Sequence, residues 1–71
     1  MKTQIFKISK SIVVVIAWLN DLKAYITYHR VGYLKFTQIE NWDEISEDDK
    51  FIITTLSDQF CKENNLQKWS Y

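Results

Sequence analysis

With 71 residues, 46% of them apolar, eleven aromatics, one glycine and no proline, the chain has too much to bury and too few breakers to be disordered or loop-rich. Its one cysteine, Cys61, excludes an intramolecular disulfide, and with its one histidine, His29, it falls short of the roughly four ligands of a structural zinc site. The formal charge is zero, yet residues 1–35 carry six cationic side chains against Asp21 alone, while residues 36–71 carry three lysines against eight carboxylates. Either the two halves fold against each other and their fields partly cancel, or the surface has a basic and an acidic pole that steer charged partners.

This length implies one domain, residues 1–71, that buries roughly 60% of its unfolded surface. Dimerisation or docking on a partner would supplement so small a core. A lone cysteine fits a reducing compartment, so a cytoplasmic location is expected.

Taking the chain in order, Phe6 and Ile8 share one face of an extended segment, and a short edge strand over about 3–8 or an irregular lead-in both fit. The apolar run Ile12–Leu19 follows. Lysines before it give the first two parts of an export signal, but no small-residue cleavage site follows Leu19. The run is also far short of the roughly 20 residues that cross a bilayer, so no membrane role is expected.

Ile12, Val15, Ile16, Leu19, Leu22 and Ile26 recur at helical spacing, and Asn20, Lys23, Thr27 and Arg30 form a polar stripe opposite. With Ser9 or Ser11 as N-cap, this predicts an amphipathic helix over about 10–29. The β-branched residues Ile12–Ile16 pull the other way, towards a strand. Residues 24–39 are rich in strand formers without clean alternation, and Gly32 marks a helix C-cap or a turn.

Ser46 opens a strong helix start, with Glu47, Asp48 and Asp49 in the first turn where the helix dipole favours negative charge. Ile52, Ile53, Leu56 and Phe60 form its apolar stripe, and Asn64-Asn65 supply a left-handed cap with Leu66 folding back. This predicts a helix over about 47–64. Trp69 and Tyr71 end the chain as aromatics that pack on the core or on a partner. The expected fold is mainly α: a small compact helical domain with helices about 10–29 and 47–64 around an irregular or short-strand middle. The alternative is a small α+β domain in which 3–8 pairs with 33–38.

Little in the chain points to catalysis. Cys61 and His29 are the one conventional nucleophile–base combination, and no motif surrounds either. The acidic run 43–49 lacks the glycine of a calcium loop, so neither metal nor cofactor is expected. Two binding readings remain. Glu40, Trp42, Asp43, Glu44, Glu47 and Asp48 combine an aromatic anchor with carboxylates suited to a basic protein surface. Lys23, Tyr28, Arg30, Tyr33 and Lys35 mix cations with stacking rings, as single-strand binders do, although the chain pI is near 6.5. A homodimer joined through exposed aromatics is a third possibility.

The Lys/Ile/Asn-rich, proline-free composition resembles that of small proteins from AT-rich bacterial or phage genomes. Such proteins often block a host enzyme stoichiometrically. The reading is a non-enzymatic protein-binding domain, an inhibitor or modulator acting through its acidic, aromatic face.

Overall fold

The computed structural model describes residues 1–69, with Trp69 described in its backbone alone. The expectation for the two tail aromatics falls on the Trp69 side chain and on Tyr71, which lie outside the described residues. The chain forms strands β1 (Lys2–Lys7), β2 (Ile12–Trp18), β3 (Lys23–Val31) and β4 (Phe36–Ile39). A 3-10 turn (Trp42–Glu44), helix α1 (Glu47–Glu63) and strand β5 (Gln67–Trp69) follow. β1, β2, β3 and β4 pair in that order, each antiparallel to the next. β5 runs parallel to the start of β3, on the same side as β4. α1 covers one face of this sheet.

The mainly helical expectation is therefore wrong. Among the described residues one α-helix is present, over Glu47–Glu63, and the residues expected to form the other build β2, a turn and β3. The apolar period that suggested a helix comes from a central strand that is apolar on both faces. Successive side chains of a strand point to opposite faces. Ile12, Val14, Ile16 and Trp18 face α1, whereas Val13, Val15 and Ala17 face away. Val13 is only 5% exposed yet stands apart from the core beneath α1. The β-branched run thus has its preferred strand conformation and buries on both sides.

Asn20, read as the start of a helical polar stripe, sits with Asp21 in the β2–β3 turn, closed by a 3.1 Å bond from the Leu22 amide to the Leu19 carbonyl. Leu22 follows at φ 61°, the left-handed residue that completes a three-residue hairpin loop. Ser9 caps no helix. Its hydroxyl accepts the Ser11 amide at 3.3 Å inside the β1–β2 loop. The alternative pairing of 3–8 with 33–38 also fails, because β1 and β4 occupy opposite edges of the sheet.

The second helix keeps its signals. The Asp49 amide donates to Ser46 Oγ at 3.2 Å. At the other end Asn65 takes φ 55°, the Leu66 amide reaches the Cys61 carbonyl at 2.8 Å, and the Asn65 amide reaches Lys62 at 3.4 Å. That pair of bonds is a Schellman cap. Ile53, Ser57 and Cys61, one helical turn apart, form the buried line of α1 and meet Ile16, Ile26, Ile39, Ile45 and Leu66. Phe60 fills one side of this core, its ring 5.5 Å from Phe6 and 5.3 Å from Trp18.

Gly32 is the turn signal it resembled. Its amide donates to the Lys35 carbonyl at 2.9 Å, and a Cβ there would lie 2.7 Å from that same oxygen. Close approach, not an unusual φ, requires glycine at this position, and the resulting tight tip projects Tyr33 and Leu34.

Candidate functional site

The acidic segment forms a continuous surface at the start of α1. Asn41 Oδ1 accepts the Asp43 amide at 3.0 Å and starts the 3-10 turn, and Ser46 starts the helix. Glu40, Asp43, Glu44, Glu47 and Asp48 are all exposed. Lys50 is drawn in among them, 3.6 Å from Asp43 and 3.2 Å from Glu47, with its Nζ 5.8 Å from the centre of the Trp42 ring. Its side chain is only 16% exposed, so one cation serves two carboxylates.

Trp42 does not stand out from this surface as an anchor. It is half-buried, and its ring centre lies 4.9 Å from that of Tyr28 in the layer between helix and sheet. The exposed apolar groups here are ones the sequence reading did not assign to the site. Phe51 is 73% exposed and Ile52 is also exposed. Phe51 follows Glu47 by four residues and Asp48 by three, so the ring sits beside both carboxylates on the helix surface. The sequence reading placed Ile52 in the buried stripe with Ile53, Leu56 and Phe60 and left Phe51 unassigned; the helix instead buries the line Ile53, Ser57 and Cys61, which turns both Phe51 and Ile52 to solvent.

The basic and aromatic set divides. Tyr28 faces α1 and packs on Trp42, and burial raises its hydroxyl pKa against the opposing pull of Lys68. Lys23 begins β3, whereas Arg30 lies seven residues on, roughly 23 Å along the strand. Arg30, Tyr33 and Lys35 do come together, at the β3–β4 hairpin end. The β1–β2 loop lies at this same end, tied by a 2.8 Å bond from the Val31 amide to the Ser11 carbonyl. It brings Lys7 and Lys10 to the same end.

Cys61 and His29 lie on opposite sides of the sheet. Cys61 is in the core under α1, where burial pushes its thiol pKa up, against Lys68 and with a smaller push from Asp58. His29 is on the far face, its Nε2 2.9 Å from Thr27 Oγ1 and its ring 6.4 Å from that of Phe36. The two therefore form no nucleophile–base pair. Ser57 Oγ is buried without a hydrogen-bond partner among the described residues and points into the apolar core. An open depression of about 590 Å³ near the β2–β3 turn is lined by Met1, Lys2, Trp18 and the turn residues 19–22, with no Ser, Thr, Cys or His among them. No group of three or more His, Cys, Asp or Glu among the described residues is placed to hold a metal ion. No described helix is long and apolar enough to cross a membrane.

Comparison of the chain with protein-family models, with curated proteins and with solved structures finds no match in any of the three.

Proposed function

We propose that this is a non-enzymatic protein-binding domain whose contact surface is the exposed start of α1. One observation carries the reading: Phe51 and Ile52 stand in solvent beside Glu47 and Asp48. An aromatic centre bordered by carboxylates fits a partner surface with an apolar pocket edged by lysine or arginine. Glu40, Asp43 and Glu44 extend the acidic border. The partner of this reading is a basic protein, and binding to it in stoichiometric amounts would inhibit or modulate it. Trp42 enters as the support that holds the border in place. A cytoplasmic location belongs to the same reading, on the ground of a single buried thiol.

The test is capture from cell lysate by the tagged chain at moderate salt. Wild type retains a partner that elutes as salt rises, since exposed charge pairs are screened over about 8–10 Å at physiological ionic strength. Phe51→Ser loses it, as does a variant with Asp43, Glu44, Glu47 and Asp48 changed to their amides. A partner that stays bound to both variants, or a wild type that retains none, refutes the reading.

A further inference from the structure

The hairpin end of the sheet has a composition that the α1 surface does not use. Lys7, Lys10, Arg30 and Lys35 are exposed there, and none of the four forms an ion pair among the described residues. Residues 7–10 and 29–36, which build this end, contain no carboxylate. Asp21, the only carboxylate before Glu40, is in the turn at the opposite end of the sheet. From β1 to β4 the cations span three strand spacings, roughly 14 Å.

Rings are interleaved with these charges. Tyr33 is 100% exposed and Leu34 89% exposed at the tip that the Gly32–Lys35 bond holds tight. Phe36 is half in solvent on the sheet face away from α1, beside His29. Tyr33 at such a tip makes no contribution to the core. A protruding plane flanked by unpaired cations matches a ligand with flat faces and a regular anionic backbone.

We propose that this end binds single-stranded nucleic acid, with a base stacked on Tyr33 and phosphates held by Lys7, Lys10, Arg30 and Lys35. The carboxylates belong to other elements, the 3-10 turn and α1, and Asp43, Glu47 and Asp58 among them are engaged by Lys50 and Lys68. Stacking tolerates any base, so the site reads backbone and shape in preference to sequence. It uses none of the residues of the α1 surface, so either reading can fail without the other.

The experiment is fluorescence anisotropy of the full chain with a labelled oligothymidylate of about 16 nucleotides. Four phosphate contacts on a single strand give a log–log salt slope of about −3, so affinity falls about fiftyfold between roughly 50 and 200 mM salt. Tyr33→Ala weakens binding at least about fivefold at constant slope. Lys35→Gln flattens the slope by about 0.7. Lys62→Gln, on the helix, changes neither. Circular dichroism confirms that the variants fold, as full exposure of Tyr33 requires. Absence of binding at low salt overturns the proposal. So does binding that ignores Tyr33, or displacement by polyglutamate at equal charge concentration, since either reduces the site to unspecific charge.

Discussion

Trp42 separates a contact role from a supporting one. Truncating a buried Trp to Ala costs about 3–5 kcal/mol. Trp42 is half-buried, which reduces that to about 2 kcal/mol. Its ring pair with Tyr28 at 4.9 Å contributes about 1 kcal/mol more, and Lys50 near its face about 0.5 kcal/mol. Trp42→Ala is therefore expected to cost about 3.5 kcal/mol. A domain of this length has a total stability of about 4–11 kcal/mol. The loss lowers Tm by roughly 14–28 °C. Trp42→Phe, which keeps a ring against Tyr28, costs about 1 kcal/mol. Urea unfolding and a thermal melt measure both. A Trp42→Ala protein within 0.5 kcal/mol of wild type, but unable to bind a partner, would refute the supporting role and restore the exposed anchor.

The remaining predictions concern backbone strain and pH. Leu22 carries φ 61°, which costs a non-glycine residue about 1–2 kcal/mol, whereas Asn visits that region readily. Leu22 is half in solvent, so Leu22→Asn loses little burial and is expected to stabilise by about 0.5–1 kcal/mol in urea unfolding; a destabilised variant would contradict the turn geometry. Burial raises the Tyr28 hydroxyl and the Cys61 thiol above their ordinary values of 10.0 and 9.0. Above those values the unfolded chain holds fewer protons than the folded one, so stability falls as pH rises. It is intact below about pH 8.5 and declines through the alkaline range, and Tyr28→Phe removes the part above about pH 10. Denaturant midpoints that stay level across that range would show that neither group is withdrawn from water.

The elements legible in the sequence are those whose ends are marked by capping chemistry. Ser46 and Asn65 fixed α1 to within a residue because each satisfies backbone groups through its own side chain or conformation. The β2–β3 hairpin was not legible because its marker is missing: Leu22 occupies the position where glycine would announce the turn. Without a turn, two strands of apolar residues merge into one long segment, and Ile12, Ile16, Leu19 and Ile26 fall by coincidence at helical spacing. The same miss scattered the candidate basic site. Lys7, Lys10, Arg30 and Lys35 reach one end of the sheet only when the chain doubles back, a long-range outcome that spacing along one segment cannot reveal. Phe51 escaped for the opposite reason, since a long enough helix buries one line, Ile53, Ser57 and Cys61, and that line contains a serine.

Net charge is a poor guide to what this surface binds. Lys50 pairs with Asp43 and Glu47, and Lys68 with Asp58, so these ion pairs lie within the acidic second half. No described ion pair joins Lys7, Lys10, Arg30 or Lys35 to that half, so the charge of these four is not cancelled by pairing among the described residues. Lys7, Lys10, Arg30 and Lys35 keep their charge for a ligand, and Glu40, Glu44 and Asp48 keep theirs. A pI near 6.5 reports the sum of the two and nothing about their separation. The slope of affinity against salt counts the phosphates neutralised at the site, whatever the rest of the chain carries. A slope near −3 from a chain of zero net charge would thus measure the segregation directly, and a slope near zero would mean that carboxylates reach the hairpin end and compete there.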